Sequence, residues 1–81
     1  MSISVSEELI GKKVCYIYRS VASREIKCAT HTVTGYMVFK EQGQIRTKIR
    51  LNNGEWEYAN NLFYPEDEAV ARSQFLEKFG K

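Results

Sequence analysis

Residues 44–58 read Gln-Ile-Arg-Thr-Lys-Ile-Arg-Leu-Asn-Asn-Gly-Glu-Trp-Glu-Tyr, and no other stretch constrains the fold as tightly. Polar and apolar residues alternate from Gln44 to Leu51, the period of a strand with one buried face. Asn53-Gly54 between two such runs signals a two-residue hairpin turn. With Asn53 and Gly54 at its centre, Leu51 faces Trp56, Arg50 faces Glu57 and Ile49 faces Tyr58. Leu51, Trp56, Ile49 and Tyr58 then share a core face, and Arg50 has a cross-strand acid.

On the preceding side, Glu41-Gln42-Gly43 suits a three-residue loop with Gly43 left-handed. That loop pairs Lys40 with Gln44, Phe39 with Ile45 and Met37 with Thr47. Phe39 and Met37 point inward, while Tyr36 and Val38 point outward beside Arg46 and Lys48. Upstream, Val14 to Tyr18 and Glu25 to Thr34 are rich in β-formers, with a polar turn at 19–24 and Gly35 as a bulge or kink. Asn61-Leu62-Phe63-Tyr64 offers a last short strand.

The ends are helical. Ser6 with Glu7, Glu8 and Gly11 suits a short turn over 6–11. Pro65 followed by Glu66, Asp67 and Glu68 opens a helix over 65–79, with Gly80 just beyond it. Ala69, Ala71, Phe75, Leu76 and Phe79 lie along one side and are expected to pack on the sheet. Trp56 is expected in the core. Arg72 is expected to snorkel at the edge of the helix stripe.

The expected fold is therefore α+β over a single domain, 1–81. It is a small, strongly bent antiparallel β-meander or SH3-like barrel over 12–64, with a C-terminal α-helix and a short N-terminal helical turn. Eighty-one residues suffice for one domain. An apolar content of 43% with ten aromatics argues for a packed chain rather than a disordered one. There is no apolar run long enough to span a membrane and no secretory pattern at the start, so no membrane partner is expected and the location is read as cytoplasmic.

Enzymatic chemistry finds little support. Cys28-Ala29-Thr30-His31 forms a C-x-x-H pair, with Cys15 as a third candidate, but positions 28 and 31 on a strand face opposite ways. The cysteines read as reduced, half-buried strand residues and His31 as an exposed polar one. No glycine-rich phosphate loop and no nucleophile motif are present. No catalysis, metal, cofactor or small-molecule substrate is expected.

Charge distribution carries more than the net value of +2. Residues 1–10 sum to −2, residues 11–50 to +7 and residues 51–81 to −3. Within the basic body, Tyr36, Val38, Arg46, Lys48 and Arg50 form the expected contact strip. Lys12, Lys13, Arg19, Arg24 and Lys27 could extend it. Such a strip suits a protein partner with an acidic surface, or nucleic acid, with Tyr36 stacking on a base. The plain alternative is the solvated face of a strand. Monomer and homodimer are both compatible with the sequence.

Four segments taken together resemble small single-domain β-barrel proteins encoded by bacteriophages, mostly of unassigned function. They are Leu9-Ile10-Gly11-Lys12-Lys13-Val14-Cys15-Tyr16-Ile17-Tyr18-Arg19, Arg24-Glu25-Ile26, Val33-Thr34-Gly35-Tyr36-Met37-Val38-Phe39 and Tyr64-Pro65-Glu66-Asp67-Glu68-Ala69. Tyr64 departs from the pattern, which has a serine or threonine cap before the proline. The resemblance implies an accessory protein that binds and modulates a host or phage protein. It assigns no functional residues.

Overall fold

The computed structural model describes residues 3–79. Four strands, β1 (Lys13–Arg19), β2 (Ile26–Glu41), β3 (Gln44–Leu51) and β4 (Trp56–Tyr58), form an antiparallel sheet in sequence order, and one helix, α1 (Glu68–Phe79), follows. No helix among the described residues is long and apolar enough to cross a membrane.

Two turns set the register, and both differ from expectation. The β2–β3 loop has two residues, Gln42 and Gly43, both left-handed at φ 51° and 79°. Two positive φ values define the hairpin turn whose twist matches that of the strands. Glu41 therefore faces Gln44, Phe39 faces Arg46 and Met37 faces Lys48, one residue away from the register expected of a three-residue loop. At the other end of β3 only Gly54 is left-handed, at φ 87°. The Gly54 N–H donates to the Leu51 carbonyl and the Leu51 N–H to the Glu55 carbonyl, both at 2.9 Å. This is the three-residue loop with a glycine bulge. Arg50 faces Trp56, Ile49 faces Glu57 and Lys48 faces Tyr58.

The two stretches expected at 25–34 and 36–40 form one strand with an irregularity. Val33 pairs with Leu51 and Gly35 with Arg50, so Thr34 is the extra residue of a bulge. The upstream half of β2 pairs with β1 and the downstream half with β3.

Two apolar clusters hold the chain. Ile3, Leu9, Val14, Val33, Ile49, Leu51 and Leu62 are buried together, with Tyr36 packed against them. On the other side of β1, Cys15, Phe63 and Ala71 form a second cluster with Ile17 and Cys28. β1 is thus covered on both faces. Leu62 and Phe63 reach these clusters after a 3-10 turn at Ala59–Asn61, and Phe63 exchanges backbone hydrogen bonds with Cys15 at 2.8 and 3.0 Å. The expected closing strand at 61–64 is this single bridge.

Both helical ends differ in detail. The N-terminal turn is a 3-10 segment, Glu7–Leu9, and Ser6 precedes it without a side-chain cap. Pro65–Asp67 is likewise 3-10 and leads into α1. Of the expected stripe only Ala71 is buried. Phe75 is half-buried, Ala69 is exposed, and Leu76 and Phe79 are 50% and 56% exposed. Ala71 is the residue that carries the helix into the second cluster. Arg72 fastens that contact: its guanidinium donates to Glu68 at 2.8 Å and to the Ile26 carbonyl at 3.2 Å. The expected glycine stop at Gly80 lies outside the described residues.

Candidate binding face

The register places Gly35, Met37, Phe39 and Glu41 of β2 on the same side as Arg46, Lys48 and Arg50 of β3 and Trp56 and Tyr58 of β4. This is the outer face, turned away from the main core. The three cations share it, as alternation requires. Their aromatic neighbours are Phe39, Tyr58 and Trp56.

Tyr36 lies on the opposite face, across from Ile49, and packs on the core. Val38 also faces that way, across from Thr47, but it is 60% exposed because the hairpin extends past the core there. A shift of one residue moves every side chain of a strand to the other side. Trp56, expected inside, is 40% exposed for the same reason, and Glu57, expected across from Arg50, points to the inner side.

The cations are held by aromatic rings. Lys48 Nζ stands 4.7 Å from the Tyr58 ring centroid and 5.6 Å from that of Phe39. The Arg50 guanidinium lies 5.8 Å from the Trp56 centroid. Such contacts contribute about 0.5–1 kcal/mol each at exposed sites. Arg50 is also tied to the bulge: its Nε donates to Thr34 Oγ1 at 3.0 Å and its Nη2 to the Thr34 carbonyl at 3.1 Å. Gly35 leaves room for it, since a Cβ there would stand 3.2 Å from Arg50 Nη2.

At the hairpin tip the Glu41 carboxylate accepts from the Tyr58 hydroxyl at 3.0 Å and lies 3.9 Å from Arg46 Nε. Its hydrogen bond to Tyr58, more than any burial, pushes the Tyr58 phenol up. Lys48 and Arg50 have no carboxylate at ion-pair distance among the described residues. The face therefore presents two cations without counter-charges, prepositioned by Phe39, Tyr58, Trp56 and Thr34.

The five cations proposed to extend the strip stand elsewhere. Lys13 and Arg19 are on β1 and Lys12 precedes it. Arg19 donates to the Arg24 carbonyl at 3.0 Å and to the Phe79 carbonyl at 3.2 Å, joining the first turn to the end of α1. Arg24 is in that turn at φ 61°, and Lys27 faces Tyr18.

Among the other reactive side chains, Cys28 and His31 lie on opposite sides of β2. Cys28 packs in the second cluster. His31 is half-buried rather than exposed. It stacks on Tyr16 at 5.9 Å, and its Nδ1 meets Asn52 Oδ1 at 3.2 Å. Among the described residues no three potential metal ligands gather. Burial, and then the neighbouring Cys15, pushes the Cys28 thiol from its ordinary 9.0 up to about 11. A thiol raised this way is a weak nucleophile at neutral pH. Its folded pKa exceeds the unfolded one, so its contribution to stability is complete below pH 9 and lost as pH rises through about 11. Alkylation of Cys28 in the native protein by iodoacetamide, read at that residue by peptide mass mapping, is expected to be slow at pH 8 and to accelerate between pH 9 and 11. Rapid modification at pH 7 would contradict the burial of Cys28.

Compared with protein-family models, with curated proteins and with solved structures, the chain matches none of them.

Proposed function

We propose that this chain is a non-catalytic binding protein that docks an acidic protein surface with the outer face of β2, β3 and β4. The observation that carries this reading is the pair Lys48 and Arg50, fixed by aromatic rings and a bulge yet without carboxylate partners among the described residues. Prepositioned cations lose little side-chain entropy on binding, and arginine with aromatic residues dominates interface energetics. The resemblance to phage-encoded barrels supports a host or phage protein as the partner. The chain itself reads as an SH3-like barrel. The strand irregularity at Thr34 and the return of Phe63 to β1 support a sheet curled on itself.

Nucleic acid is the second reading, and one feature favours the first over it. A base stacking on Phe39, Tyr58 or Trp56 would compete with Lys48 and Arg50 for the ring face that each already covers, and Tyr36 packs on the core. Fluorescence anisotropy with a labelled Asp- and Glu-rich peptide, and with single-stranded and duplex DNA and RNA at two salt concentrations, separates the two. The acidic peptide is expected to bind. Lys48→Glu with Arg50→Glu is expected to weaken it at least about tenfold, because like charges set against each other cost several kcal/mol. Equal binding by the doubly reversed protein would end this reading. Tight binding to every nucleic acid with a steep salt dependence would establish the other.

A further inference from the structure

A second concave surface lies on the opposite side of β4 from the basic face. It is a groove of about 490 Å³ between β1, the 3-10 turn after β4, and α1. Tyr16 and Tyr18 form one wall, with ring centroids 5.9 Å apart. Phe75 and Phe79 form the other, at 5.0 Å. Tyr18 and Phe79 remain 40% and 56% exposed. Tyr16 also packs against the first apolar cluster, whereas Tyr18, Phe75 and Phe79 belong to neither.

The polar groups of the groove have a polarity along it. Lys78 stands at the helix end, 5.9 Å from the Phe79 centroid. Glu57 stands at the β4 end, half-buried. Its Oε1 accepts from Asn61 Nδ2 at 2.8 Å and from the Tyr58 N–H at 3.2 Å, while its Oε2 has no hydrogen bond among the described residues. Glu55 adds a second negative charge nearby. Burial first, and then the field of Glu55, pushes the Tyr16 phenol up, with Tyr18 and Glu57 adding to it. Asn60 and Gln74 also line the groove, and each amide carries both donors and an acceptor.

We infer that this groove binds a peptide segment in which a lysine or arginine is flanked by apolar residues. The cation lies over the exposed Tyr18 ring, beside Tyr16 and the Glu57 carboxylate, where a ring face and negative charge reinforce each other. The apolar neighbours cover Phe75 and Phe79, and the Asn60 and Gln74 amides bond the peptide backbone. Lys78 sets the direction by excluding the cation from the helix end. The groove thus selects a charge opposite to that selected by the outer face, and its occupancy does not depend on a partner there.

The test is an amide NMR titration of the full chain with two probes, acetyl-Leu-Arg-Leu-Val-amide and acetyl-Leu-Glu-Leu-Val-amide. The arginine peptide is expected to give saturable shifts at Tyr18, Asn60, Gln74 and Phe75. The glutamate peptide is expected to bind at least about fivefold more weakly. Tyr18→Ala, at an exposed position that leaves both clusters intact, is expected to weaken the arginine peptide by a similar factor. Glu57→Gln is expected to do the same and to narrow the difference between the peptides. The inference is overturned if the arginine peptide gives no saturable shift at about 2 mM, a concentration that reveals any site of useful affinity. It is also overturned if the two peptides bind alike, or if the shifts fall on Phe39, Lys48 and Trp56 instead.

Discussion

Phe63→Ala is expected to lower the unfolding free energy by about 3–5 kcal/mol, the usual cost of emptying a buried phenylalanine site. Phe63 is 3% exposed and lies between Cys15 and Ala71, so its ring holds β1 and α1 in one cluster. A domain of this size has about 4–12 kcal/mol of stability, on the order of 0.1 kcal/mol per residue. The melting temperature should fall by more than about 12 °C, since each kcal/mol shifts a small domain by about 4–8 °C. Urea unfolding followed by far-ultraviolet circular dichroism measures it. Phe79→Ala is the companion, because Phe79 is 56% exposed and should change stability by no more than about 0.5 kcal/mol. If both variants cost the same small amount, Phe63 does not join the two elements.

The second large effect contrasts two isoleucines on one strand. Ile49 and Ile45 both belong to β3 and both face inward by alternation. Ile49 is fully buried between strands, whereas Ile45 is 69% exposed near the hairpin tip. Ile49→Ala is expected to cost about 2–5 kcal/mol and Ile45→Ala within about 0.5 kcal/mol. The midpoint of denaturant unfolding for the pair is a direct measure of where along β3 the core ends. A large loss at Ile45 would mean that the core continues to the hairpin tip.

These two residues also show how far alternation reaches. It places Arg46, Lys48 and Arg50 on one side of β3, and they are there. It says nothing of where along a strand burial stops, which is decided by what other elements cover it. Nor does it settle what stands across from the cations. That depends on loop length. Gln42 adopts a left-handed φ that glycine or asparagine favours, so Glu41-Gln42-Gly43 reads as a longer loop than it is. Asn53-Gly54 carries the signal of one turn and folds as another, because only Gly54 takes the positive φ. Each difference is a single residue, and each exchanges a full face. Tyr36 goes inward while Phe39, Trp56 and Tyr58 come outward. An aromatic-basic surface was legible in the sequence, but its aromatic members were not. The helix was legible from Pro65 and its acids. How little of the helix is buried was not, since the size of the second cluster depends on Phe63 returning to β1.

The backbone exchange between Cys15 and Phe63 has a bearing on how the chain reaches this state. The two residues stand at opposite ends of the sheet in sequence, so their contact closes a loop containing every strand. Closing a long loop is entropically costly unless the intervening chain is already ordered. The three hairpin connections, β1–β2, β2–β3 and β3–β4, are local, whereas this pairing spans the sheet. The second cluster and the groove beside it are therefore expected to form after the sheet, and Phe63→Ala is expected to speed unfolding more than it slows folding.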